Sequence, residues 1–125
     1  ELSEVLTWHE NGISEKQAFA RIHERYDERK GYDWCHTISN AMIVVVSLLW
    51  GAGNYSKSIC MSVETGFDTD CNGATAGSIL GVMLGAKALP EKWTAPLNDT
   101  LASGVGGFGR VSIREMACRT ARFVP

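Results

Sequence analysis

Several absences narrow what this 125-residue chain can be. Its four cysteines, Cys35, Cys60, Cys71 and Cys118, form no C-x-x-C pair and no cluster at zinc-ligand spacing. They are also too few for a disulfide scaffold, so a reducing compartment is the simpler expectation. Positive charge is not in surplus: the formal net charge is -2 and the pI is near 5.9. Bulk electrostatics therefore argue against a nucleic-acid or acidic-membrane surface. No basic stretch followed by an apolar core opens the sequence, which leads us to expect a cytoplasmic protein. There is no internal repeat, no low-complexity tract and no long linker.

What is present is one domain's worth of apolar residues, 45% of the chain, arranged in helical patterns. The first residues, Glu1-Leu2-Ser3-Glu4, run straight into such a pattern without an initiator Met. The expectation is a single helical domain over 1-125, or the C-terminal fragment of a larger one. Residues 1–30 carry 12 of the 26 charged residues, whereas 31–67 carry only Asp33, Lys57 and Glu64. The first part is expected to be solvated and the next buried.

Ser3 is positioned to cap a first helix that stops at Asn11-Gly12. Ser14 with Gln17 makes a capping box for a second, which presents Ala18, Ile22 and Tyr26 on one face and ends near Gly31. Thr37 to Trp50 is nearly all apolar. Its Ile43-Val44-Val45-Val46 run is β-branched, but its 14 residues exceed a buried strand and fall short of the roughly 20 needed to span a bilayer. A core helix is expected there, closed by Gly51 and Gly53, with another from about Asn54 to Gly66. Gly73, Gly77, Gly81 and Gly85 recur at four-residue spacing on one helical stripe. Each glycine costs about 1 kcal/mol against Ala in a helix, so the stripe predicts close approach of a neighbouring helix. Pro90 starts a short helix in which Trp93 is expected to anchor the core. Ser112 with Glu115 caps a last helix whose exposed side carries Arg114, Arg119 and Arg122. The whole reads as all-α, an orthogonal multi-helix bundle of about six helices.

The segment richest in chemistry is Gly66-Phe67-Asp68-Thr69-Asp70-Cys71-Asn72-Gly73. Asp68 and Asp70 lie two apart between a helix stop at Gly66 and a helix start expected near Asn72, so a tight loop delivers two carboxylates to one point. Hard oxygen donors suit Mg²⁺, Mn²⁺ or Ca²⁺ better than zinc. The competing reading is that one Asp simply caps the following helix. An EF-hand is excluded because the loop's ninth and twelfth positions would be Ala76 and Ile79.

This run, continued through Ala74-Thr75-Ala76-Gly77-Ser78-Ile79-Leu80-Gly81 and followed by Leu89-Pro90-Glu91-Lys92-Trp93, resembles the G-G-D-T-D-T-x-x-x-x-A-G-x-x-x-G region and the downstream I-P-x-x-W of ADP-ribosylglycohydrolases. The similarity extends over roughly Tyr32 to the end. It implies an all-α fold with a binuclear magnesium site, manganese being the alternative ion, and hydrolysis of a glycosidic bond of ADP-ribose adducts. It implies Asp68 and Asp70 as metal ligands, with Cys71 standing where the family has a hydroxyl ligand. A thiol is a soft, poor partner for Mg²⁺. Phe67 replaces the second Gly of the motif. Gly66 and Phe67 are expected at the substrate, as is His36 at the head of the apolar helix, whose other reading is a satisfied helix-start histidine. His9 and His23 read as solvated.

The family's N-terminal G-D-A-x-G-like segment and T-D-D-type metal motif have no counterpart in residues 1–125. The chain is thus expected to supply half a site and, alone, to be inactive. Its catalytic residue is unassigned. Expected partners are an ADP-ribose-containing substrate and either a second copy or the missing N-terminal portion, with no nucleic acid and no membrane. The alternatives are a degenerate, non-catalytic ADP-ribose-binding member and a small helical interaction module. Gly104-Val105-Gly106-Gly107-Phe108-Gly109 matches G-x-G-x-x-G, but no hydrophobic strand precedes it and the required acid would lie beyond Pro125, so it reads as a flexible connector.

Overall fold

A computed structural model describes residues 1–124 and is predominantly helical. The chain divides into two compact units, Glu1–Ala88 and the remainder from Leu89 onward. The first unit holds α1 (Leu2–Glu10), α2 (Glu15–Arg25), α3 (Thr37–Gly51), α4 (Tyr55–Glu64) and α5 (Thr69–Leu84). No helix among the described residues is long and apolar enough to cross a membrane.

α3 is the central element and lies against α1, α2, α4 and α5. Its apolar run explains this, because a helix with no polar face is stable only when other elements cover it. Met42, Ile43 and Val46 join Val5 and Trp8 of α1 and Ala18, Ile22 and Tyr26 of the α2 segment in one buried cluster. Polar ties fix the arrangement. The Trp50 indole Nε1 donates to the Ile13 carbonyl at 2.9 Å, pinning the end of α3 to the α1–α2 turn. Arg25 is paired with both Glu4 and Glu1, which joins the C-terminal end of α2 to the start of α1.

Local signals set most helix ends. Ser14 and Gln17 form both arms of their capping box. Asn54 accepts from the Lys57 amide to start α4. Gly12, Gly53 and Gly66 take positive φ at the ends of α1, α3 and α4. Three expectations are corrected. Glu1, not Ser3, occupies the N-cap of α1, where no side chain caps the helix. α2 stops at Arg25, where Tyr26 leaves helical geometry (φ -111, ψ 47) and the Asp27 side chain, accepting from the Arg29 amide, starts a separate 3₁₀ turn, Glu28–Lys30, that carries the chain to Gly31. The acidic segment is not wholly a loop: α5 starts at Thr69, three residues before Asn72.

The glycine stripe divides in role. A Cβ on Gly73 would lie 3.0 Å from Val63 Cγ2, and one on Gly77 would lie 3.3 Å from Ile59 Cδ1 and 3.4 Å from the Tyr55 hydroxyl. α4 and α5 therefore run antiparallel with backbones close together at these two positions. Gly81 faces open space, and Gly85 ends the helix at φ +76. Close approach thus accounts for two of the four.

The second unit contains a one-turn helix α6 (Glu91–Thr94), strands β1 (Thr100–Ala102) and β2 (Arg110–Ser112), and α7 (Ile113–Ala121). The strands pair antiparallel with Leu101 opposite Val111. The glycine-rich stretch is thus a hairpin loop, which corrects the expected connector. The Asp99 carboxylate organises its base, accepting from the Ser112 hydroxyl at 2.6 Å and the Arg114 amide at 2.9 Å. These donors hold the Asp99 carboxyl below its usual range. Ser112 caps α7 through the Glu115 amide, but the Glu115 side chain turns to Arg119 at 2.7 Å and leaves the second arm of the box unmade. Trp93 is half-buried, not the core anchor expected of it.

Candidate metal centre

The end of α4 and the start of α5 are joined by Thr65 to Asp68. Gly66 and Phe67 both take positive φ, +89 and +61. For Phe this conformation costs about 1–2 kcal/mol, and what offsets it is the destination of the ring. Phe67 is half-buried, packs against the core cluster of the first unit and lies 4.7 Å from the His23 ring. His23 Nε2 in turn meets the Thr65 carbonyl at 2.8 Å and the Thr65 hydroxyl at 3.1 Å. His23 is exposed, as expected, and also tethers this turn.

The double left-handed turn delivers Asp68 to the N-cap position of α5, where its carboxylate makes no capping hydrogen bond. The capping alternative thus accounts for the place of Asp68 but not for its carboxylate, which makes no capping bond. Asp70 follows in the first helical turn. There the helix dipole favours negative charge. The carboxylates of Asp68 and Asp70 and the Cys71 sulfur lie within 4.8 Å of one another, with Asp68 half-buried and the other two exposed. Two of these donors fit a hard divalent cation. The Cys71 thiol donates to the Asp68 carboxylate, and that bond pushes the thiol up from its ordinary value.

Asn40 and Asn72, which sequence reasoning did not single out, connect this segment to α3. Asn40 Oδ1 accepts from the Asp68 backbone amide at 3.1 Å and from Asn72 Nδ2 at 2.7 Å. Asn40 Nδ2 donates to the Trp34 and His36 carbonyls at 2.9 and 3.0 Å. The approach to α3 thereby lies beside the acidic turn. Asp33 accepts from the Cys35 amide and thiol, both at 3.0 Å. The Cys35 thiol is pushed up mainly by that bond, with a smaller contribution from the Asp68 charge.

His36 caps α3 by position but makes no side-chain capping bond. Its ring stacks on Tyr26 at 5.3 Å, and its buried Nδ1 has no partner among the described residues. The helix-start reading of His36 thus holds for its position and not for satisfaction of its ring. Of the residues singled out from sequence, Gly66, Phe67, Asp68, Asp70 and Cys71 come together on one turn, and His36 stands on the adjoining loop through the Asn40 bridge.

The family model described as ADP-ribosylglycohydrolase matches residues 1–122. No curated protein and no solved structure gives a match. The match starts at residue 1, so α1 and α2 belong to it along with the motif-bearing part. The chain belongs to the ADP-ribosylglycohydrolase family, whose members are helical, metal-dependent hydrolases in general.

Proposed function

We propose, from that family membership, that this chain contributes half of a magnesium-dependent site for hydrolysing a glycosidic bond at the ribose of ADP-ribose adducts. The observation that carries the reading is the convergence of Asp68 and Asp70 at the start of α5, with the Asp68 carboxylate left free of any capping role. These two carboxylates would hold the ion. When bound, a hard divalent cation supplies Lewis acidity and a template for ribose hydroxyls and water. The chain's own contribution is orientation: the turn through Gly66 and Phe67 would set the two carboxylates, and His36, Gly66 and Phe67 would stand on the substrate side. Manganese is the ion expected to substitute for magnesium.

The test is release of ADP-ribose from ADP-ribosyl-arginine by the full-length protein. Activity should require Mg²⁺, and Asp70→Ala should abolish it. Activity that survives both chelation and that substitution would overturn the reading. A second reading, a non-catalytic ADP-ribose binder, is favoured by one feature: the Cys71 thiol occupies the Asp68 carboxylate where a hydroxyl would serve the metal. Binding of ADP-ribose without turnover would select it.

A further inference from the structure

We propose that Asn40 is a positioning residue for the metal centre, holding the acidic turn in the geometry that binds the ion. The proposal rests on the reading of Asp68 and Asp70 as metal ligands. An asparagine amide has two donor hydrogens and two acceptor lone pairs, and here all four are used. Oδ1 takes the Asp68 amide and the Asn72 side chain, and Nδ2 gives to the Trp34 and His36 carbonyls. The opposite amide orientation would set donors against donors and carbonyls against carbonyl, so the network itself fixes which end is oxygen.

The consequence is mechanical. Asp68 stands after two consecutive residues at positive φ, a turn with no regular backbone ladder of its own. Its amide is held from outside the turn, by a side chain 28 residues earlier in the sequence. Asn40 is 9% exposed and Asn72 3%, so water does not compete freely for these bonds. Bonds that orient a metal ligand from behind typically change metal affinity by about 10–100-fold when removed. No other side chain reproduces the pattern. Aspartate loses both donors, serine is too short to span four partners, and glutamine moves the amide outward by a methylene.

The experiment measures Mn²⁺ binding to the full-length protein by electron paramagnetic resonance, with the metal alone as probe. It compares wild type, Asn40→Ala, Asp70→Ala and Val46→Ala. Val46 lies on the same helix, is fully buried in the core and has no role at the turn, so its truncation controls for lost stability. Asn40→Ala is expected to weaken Mn²⁺ binding about 10–100-fold, while Val46→Ala lowers the melting temperature and leaves the affinity unchanged. If Asn40→Ala does not fold, Asn40→Ser carries the same comparison.

Wild-type affinity in the Asn40 variant, with binding lost in Asp70→Ala, would overturn the positioning role alone. Equal weakening in Val46→Ala and the Asn40 variant would overturn it as well, by tracing the loss to general instability. No binding by the wild type would overturn both this role and the metal reading beneath it.

Discussion

Gly51→Ala should damage the elbow between α3 and α4, and the structure gives the size of the effect. Gly51 is the last residue of α3, and a Cβ built on it would stand 1.9 Å from the Ser58 Oγ, 3.0 Å from its Cβ and 3.2 Å from its Cα. Rotating the hydroxyl away removes only the first clash. The two carbon contacts remain well inside the ~3.5–4.0 Å of ordinary packing, and the last is to backbone, so α4 must shift. Overpacking of this kind costs about 1–3 kcal/mol, partly offset by the helix preference of Ala over Gly. A net loss of about 1 kcal/mol lowers the melting temperature of a unit this size by roughly 4–8 °C. Ser58 supplies an internal control. Its hydroxyl is buried without a partner, so Ser58→Ala alone should be neutral or stabilising by up to about 1 kcal/mol. In the double variant it should recover part of the loss, a coupling readable from a thermodynamic cycle. Thermal melts followed by circular dichroism suffice. A Gly51→Ala protein melting within about 2 °C of the parent, or a double variant no better than Gly51→Ala, would refute the argument.

Gly81→Ala should act in the opposite direction, since a Cβ there meets nothing within 4 Å. A gain of about 0.5–1 kcal/mol is expected from helix preference, and a lowered melting temperature would contradict it. The acid limb of stability should depend on Glu4. Hydrogen bonding by Arg25 holds its carboxyl below the ordinary value of 4.5. A depressed carboxyl stabilises the fold above its unfolded pKa, and that contribution disappears as pH falls through the folded value. Glu4→Gln should therefore melt lower than the parent near neutrality, with the gap closing below about pH 4.5. A gap that persists at pH 3 would count against the ion pair as its source.

Much of the first unit was legible along the chain because its signals are local. The Ser14–Gln17 box, the Asn54 cap and the Gly66 stop each act within a few residues, and the apolar run from Thr37 needed only its length to be read as a helix. The pairing of Asp68 with Asp70 was visible for the same reason, as was its likeness to a known metal loop. Sequence could not assign the hairpin. Its strands are three residues long, too short for alternation to register, and they are set by pairing across a loop and by Asp99 at their base.

Nor could sequence decide which glycines of the stripe meet α4, because the four-residue spacing is identical for all of them and only the course of the neighbouring helix separates Gly73 and Gly77 from Gly81. The support of the metal turn was hidden for a related reason. Asn40 reaches Asp68 and Asn72 across 28 and 32 residues, and His23 reaches Thr65 across 42. Single polar bonds between distant positions leave no periodicity, so sequence alone determined the donors and the tertiary structure decided what holds them in place.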